Sequence, residues 1–289
     1  KFRCFKKNRI VSRRIMLLVL LNLITIHVWS QSERIYVFSV SKTKRVIFSP
    51  GNLQYDRSTK KWSFASKQYE IIGTNNVTGG EAKETDPNSG YENKTSIGLA
   101  NKIDLFGWSA KDNNAPFGVS SSVTDSDYQG KTFVDWGTNQ IGDYPAGTWR
   151  TLTYAEWRYL RRERPNADNL LGVAQLKIAG VKGTNKDGGF VNGLIILPDN
   201  WVCPEGITFK TGFSTKGAGM QYYDDHQTFT KTQWEKLEAA GAVFLPAAGF
   251  RQDTRMFNVQ RSTGYWSSSR NGTTNMAGHL SINAKGAGI

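Results

Sequence analysis

The sequence predicts a mixed fold of two short helices and several short antiparallel strands, joined by long loops. Three observations carry this. Apolar and polar residues alternate over short runs bounded by Gly, Asn, Asp and Ser, the pattern of half-buried strands. Two stretches switch to a helical period behind N-terminal capping signals or ahead of a C-terminal Gly. Between about residues 73 and 147 the chain is rich in Gly, Asn, Ser, Thr and Asp, the composition of long loops, which are usually functional.

The elements follow in order. In "IYVFSVSKTKRVIFS", Tyr36, Phe38 and Val40 alternate with polar neighbours, Ser41-Lys-Thr-Lys44 turns, and "RVIFS" returns, a β-hairpin. "NLQYDRSTKKWSFA" repeats the design, with Leu53 and Tyr55, a polar turn from Asp56, then Trp62 and Phe64. The apolar islands "IDLFGW" and "FVDWG" interrupt the loop-rich region. Thr153-Tyr-Ala-Glu156 is a capping box and predicts a helix over 154–163 with Tyr154, Trp157 and Leu160 on one face, stopped by Pro165. "VAQLKIAGV" and "GFVNGLIILP" form a strand pair across a Gly/Asn/Asp turn. A second helix over 231–240 presents Trp234, Leu237 and Ala240 and ends at Gly241. "VFLPAAGF", "RMFNVQ", "GYWSSS" and "GHLSINA" close the chain as short strands, so that the sheet is expected to come mainly from the last hundred residues.

The N-terminus accounts for most of the charge. The formal net charge is +13, but residues 1–30 hold seven basic residues and no acid, which leaves 30 basic against 24 acidic residues elsewhere, or +6. That excess is too small to mark a nucleic-acid partner. A basic run, the apolar "IMLLVLLNLITIHVW" and a small residue at Ser30 have the order of a signal peptide over 1–30, with an uncleaved signal anchor as the alternative and the only membrane link expected. Residues 31–289 are expected to form a single exported domain at the cell envelope or secreted. Cys203 is its one cysteine, so no internal disulfide forms.

The residues offer only fragments of catalytic patterns. Ser267, Ser268 and Ser269 lack a surrounding Gly-x-Ser-x-Gly, and outside 1–30 only His226 and His279 offer a base, so a strand that buries Trp266 is the expectation. Gly130-Lys131-Thr132 ends like a phosphate loop, but Asp125 stands where its first Gly is needed. Asp125 and Asp127 place oxygen ligands at i and i+2, so calcium is the one cofactor left open, against a solvated acidic loop. Asp224, Asp225 and His226 find no second motif to complete a zinc site.

"WRTLTYAEWRYL" resembles the helix entry of the formylglycine-generating-enzyme (sulfatase-modifying factor) type of C-type-lectin-like domain. "VIFSPGNLQY", "IDLFGW", "LIILPDNW", "GAVFLPAAGFR" and "GYWSSS" are similar to a group of exported Bacteroidetes proteins sharing that architecture. The resemblance runs from about Arg45 to Leu280. It implies an α+β, C-type-lectin-like fold with two helices, small antiparallel sheets, N-terminal β-hairpins and long loops that present the ligand surface. It carries over no activity. Formylglycine-generating enzymes use a cysteine pair, and calcium-type lectins use Glu-Pro-Asn or Gln-Pro-Asp, none of which stands here; Asp199-Asn200-Trp201 reverses the lectin strand motif. That fold expects another closing strand beyond Lys285-Gly-Ala-Gly-Ile289, so a truncated product is an expectation.

The function expected is therefore a non-enzymatic ligand-binding or adhesion module facing protein or glycan on a cell surface. A structural surface or pilus-associated component and a retroelement-diversified receptor-binding protein are the alternatives, and catalysis ranks last. Arg251, Arg255, Arg270, Asn271 and Asn275 are the expected ligand contacts, because Arg and Asn side chains offer adaptable hydrogen bonding on a rigid sheet. Arg270, Asn271 and Asn275 are expected to be exposed.

Overall fold

A computed structural model describes residues 35–73, 102–109, 132–178, 189–216, 222–252, 255–272 and 276–289; of Arg251, Gln252, Arg255 and Met256 only the backbone is described. Residues 36–289 make one compact unit. Residues 1–30, expected as a signal segment, and the calcium candidates Asp125 and Asp127 lie outside the described residues. No helix among the described residues is long and apolar enough to cross a membrane.

The fold is α+β. The N-terminal hairpin forms as β1 (Phe38–Ser39) and β2 (Arg45–Val46). Its turn closes as the Val40 N–H donates to the Lys44 carbonyl and the Ser41 hydroxyl accepts from the Lys44 N–H. The second hairpin is β3 (Leu53–Asp56) with β4 (Lys61–Phe64). A third strand, β5 (Lys102–Ile103), joins it from the loop-rich region and makes the sheet order β4-β3-β5.

The central sheet has the order β8-β6-β7-β9, formed by β6 (Leu171–Lys177), β7 (Phe190–Ile196), β8 (Thr228–Thr230) and β9 (Val243–Pro246). Both faces are covered. Ala174, Leu176, Val191 and Ile195 face a core with Trp234, Leu237 and Phe244, while Val173, Leu194 and Ile196 face one with Phe38, Trp157, Leu160 and Ile282. A doubly covered strand has no polar face, which is why every residue of β7 is buried and "FVNGLII" runs nearly without polar breaks. The one Asn in it, Asn192, is satisfied by Gln260, which accepts from its backbone N–H at 2.7 Å and from its side-chain amide at 2.9 Å. In place of one sheet drawn from the last hundred residues, the described residues build five small sheets, and β8 pairs with β6 in parallel rather than antiparallel.

Two helices pack on this sheet. In α1 (Tyr154–Arg158) the capping box forms as expected: Thr153 accepts from the Glu156 N–H and Glu156 accepts from the Thr153 N–H. Burial alone would raise the Glu156 pKa, but bidentate bonds from Arg150 at 2.7 and 2.8 Å, together with Thr153, hold it below the usual carboxylate range. The last turns, Tyr159–Glu163, widen to π-helical geometry. In α2 (Lys231–Ala239), Thr230 and Gln233 make a second capping box, and Gly241 follows at φ +91°, a left-handed position that glycine adopts without strain.

The chain closes with the hairpin β10 (Phe250–Gln252) and β11 (Arg255–Phe257), then the sheet β12 (Ser262–Arg270), β13 (Ala277–Asn283) and β14 (Gly286–Gly288). β14 lies in the tail itself, with Ala287 paired to Ile282.

Candidate functional site

A cleft of about 790 Å³ lies between the first hairpin, β3 and β4, the segments 104–106, 135–137 and 148–152, and the stretch of β12 from Thr263 to Trp266. Its walls are aromatic. Phe106 and Trp136 lie 5.1 Å apart by ring centroids, each backed by Trp62 at 5.2 and 5.3 Å. A second group holds Trp149 edge-on to Phe64 at 5.2 Å and to Tyr144 at 5.4 Å. Edge-on and tilted ring packing is favourable, so these rings brace one another.

Backbone capture by a carboxylate holds the wall in place. Asp135 caps the 3-10 turn Trp136–Thr138; its Oδ1 accepts from the Gly137 N–H at 2.9 Å and its Oδ2 from the Thr151 N–H at 2.8 Å. Three lining or adjacent indoles are pinned by donation to carbonyls: Trp136 to Gly107, Trp157 to Trp266, and Trp266 to Phe106. The Trp149 indole N–H is buried and has no hydrogen-bond partner among the described residues.

Tyr265 and Asn52 form a polar pair in the cleft lining. The Tyr265 hydroxyl donates to the Pro246 carbonyl at 3.2 Å and accepts from the Asn52 amide at 3.4 Å. Burial pushes its pKa up; the Asn52 bond opposes this and the Asp104 charge adds to it, so the phenol stays neutral at physiological pH. Four charged residues line the cleft, Arg45, Arg150, Asp104 and Asp135. Both arginines have an acid outside the lining: Glu156 grips Arg150, and Arg45 reaches Asp199 at 3.9 Å.

Trp266 was expected inside the core, but it is half-buried and lines the cleft, with its ring 5.7 Å from His279. The fully buried residue is its neighbour Ser267. The cause is a slip in the ladder. β12 carries two more residues than β13 between the pairs Trp266–His279 and Arg270–Ala277, and the slipped segment bonds elsewhere. The Ser268 N–H donates to Leu152, Ser269 accepts from the Tyr154 N–H, and Ser267 donates to the Ser269 carbonyl. These serines anchor the entry of α1. Burial lowers the His279 pKa, and the His226 Nε2 sits 3.2 Å from the Lys210 carbonyl.

Backbone positions are described for four of the expected ligand contacts. Arg251 is paired with Met256 and Arg255 with Gln252, on a hairpin that begins beside Thr263. Arg270 ends β12, seven residues or roughly 20 Å farther along. Arg270 and Asn271 are half-buried rather than exposed. The Arg270 guanidinium lies over the Trp108 ring at 4.8 Å, and the Asn271 N–H donates to the Met276 carbonyl. Asn275 lies outside the described residues. Among the described residues no group of three or more His, Cys, Asp or Glu side chains is placed to hold a metal ion. Asp199 of the reversed lectin-like triplet accepts from the Ser39 N–H and hydroxyl and from Arg164.

The sequence reading missed the cleft. Its only signal was the density of Trp and Phe inside a Gly- and Asp-rich region, where exposed loops have little use for large rings. Comparison with protein-family models, with curated proteins and with solved structures finds no match.

Proposed function

We propose that this chain is an exported, non-enzymatic ligand-binding or adhesion module of the C-type-lectin-like type, and that it binds its ligand in the aromatic cleft. One observation carries the reading: a cleft of about 790 Å³, walled by braced rings, with a few polar groups in its lining, the Asn52–Tyr265 pair among them. That size and lining are those of small-ligand sites, about 300–1,000 Å³ and mostly apolar. The resemblance to exported Bacteroidetes proteins supports the fold type and the cell-surface setting. Protein and glycan are the ligand classes, and calcium at Asp125 and Asp127 stays an accessory proposal.

A second face is favoured by the Arg270–Trp108 stack, which holds a guanidinium at the β12 end. A combined glycan and protein array separates the two. The cleft variant Phe106→Ala is expected to lose the wild-type hits, and the triple variant Arg270→Ala, Asn271→Ala, Asn275→Ala to keep them. The reverse outcome moves the site to the β12–β13 tip, and a wild type without hits removes the binding reading. Export makes its own prediction: mass spectrometry of the mature protein should find residues 1–30 absent if the segment is cleaved. An intact segment on soluble cytosolic protein would refute export.

A further inference from the structure

We infer that the cleft takes an extended segment of a partner protein, apolar along most of its length and acidic at one end, which pairs with the free edge of β2. This rests on the reading of the cleft as the binding site.

The backbone supplies the edge. In an antiparallel pair, residues that bond across the ladder alternate with residues whose N–H and C=O point away from it. The Val40 N–H bonds across to Lys44, so the next pair, Ser39 with Arg45, is one that points away. On the β1 side these outward groups are filled: the Ser39 N–H donates to Asp199, and the Val37 carbonyl accepts from the Asp199 N–H. On the β2 side Arg45 and, two residues on, Ile47 aim their backbone groups outward and find no hydrogen-bond partner among the described residues. Arg45, Val46, Ile47 and Phe48 all line the cleft. An extended peptide laid along this edge completes those bonds, and every second side chain drops toward the rings.

The lining favours a peptide over a glycan. The hydroxyls of Ser49, Thr148, Thr263 and Tyr265 donate to backbone carbonyls, Asp135 accepts from Gly137 and Thr151, and Glu156 grips Arg150. The hydrogen-bonding capacity of these side chains is largely spent inside the protein. A sugar would bury hydroxyls here with few partners, whereas aliphatic and aromatic side chains need only the ring faces. Ile47 and Tyr144, 52% and 41% exposed, carry the apolar lining out to the surface.

Charge sets the acidic end. Residues 35–55 hold Lys42, Lys44 and Arg45 and no acid. Lys42 and Lys44 are exposed and make no ion pair among the described residues, and Asp199, 3.9 Å from Arg45, also serves Arg164. An acidic residue passing the turn meets these cations. A second copy of the hairpin would bring the same cations to them, so the edge suits a foreign acidic segment rather than self-pairing.

The test selects binders to the full chain from a displayed library of random eight-residue peptides and titrates synthetic copies calorimetrically. The selected peptides are expected to alternate apolar side chains and to carry Asp or Glu at one end. N-methylation at every second backbone position should weaken binding about tenfold, the effect of one lost hydrogen bond, and at the intervening positions should not. Ile47→Pro removes an edge N–H that bonds nothing inside the protein, and should weaken binding about tenfold. Lys42→Glu with Lys44→Glu should weaken it and abolish its decline with salt. Thermal melts establish that the variants fold, and the methylated peptides carry the test if Ile47→Pro does not.

A library without binders overturns the inference, as do binders that keep full affinity for Ile47→Pro and at every methylated position. Selected peptides with basic or uncharged ends overturn the acidic end. A glycan or small apolar molecule that binds and is lost on Phe106→Ala, while no peptide binds, overturns this inference and leaves the cleft as the site. Peptides that are lost on Ile47→Pro but ignore Phe106→Ala overturn both readings.

Discussion

Replacing Arg164 by Ala is expected to cost about 3–5 kcal/mol of stability, read as a lowered urea midpoint at constant slope. Arg164 follows the last turn of the first helix, and its guanidinium is wholly enclosed. Nη1 donates to the Leu197 carbonyl at 3.0 Å and to Asp199 at 3.2 Å, and Nη2 donates to the Leu170 carbonyl at 3.2 Å. Asp199 in turn receives the Ser39 N–H and hydroxyl of β1. One side chain therefore ties the helix end, both central strands and the first hairpin.

Truncation strips the buried Leu197 carbonyl of this donor and takes one bond each from the Leu170 carbonyl, which keeps the Leu197 N–H, and from Asp199, which keeps Ser39, and that lost compensation for desolvation is what makes loss of one partner so costly. Arg158→Ala is the control. Its pair with Glu163 is 2.8 Å long, but both side chains are about half exposed, so the change should stay within about 0.5 kcal/mol. If Arg164→Ala unfolds no earlier than Arg158→Ala, the enclosed guanidinium is not a tie.

Local features of this fold were legible in the sequence and tertiary ones were not. The capping box at Thr153 and Glu156 needs only residues three apart, and both hairpins announce themselves by alternation around a polar turn. The parallel partner β8 is three residues, "TFT", too short to show a period, and its neighbour β6 lies some fifty positions upstream. Trp266 misled because strand alternation assumes an unbroken ladder, and the slip before Arg270 breaks it. Arg270 looked like a free loop cation, but its ring partner, Trp108, lies 162 positions away in the chain. The cleft is the extreme case. It assembles from six separated segments, each of which alone reads as a loop or strand with an unexplained aromatic.

Gly137→Ala should damage the cleft without touching any ligand-facing ring. A Cβ at Gly137 would sit on the Trp149 carbonyl oxygen and 2.7 Å from its carbon, and both are backbone atoms that cannot swing aside as a flexible side chain can. The same residue donates to Asp135 and accepts from the Gly147 N–H at 2.7 Å, so neither flank can drift without losing a bond. The added methyl must push the 148–152 segment away from the Trp136 turn. Overpacking of this kind costs about 1–3 kcal/mol. The larger consequence is geometric, since Trp136 and Trp149 stand on the two sides being separated. Ligand binding should fall further than stability does, and tryptophan emission should change in the unliganded protein. Gly286→Ala supplies the comparison, because a Cβ there meets nothing within 4 Å. A Gly137→Ala protein that melts, fluoresces and binds as the Gly286→Ala protein does would mean that the close approach of these two segments does not shape the cleft.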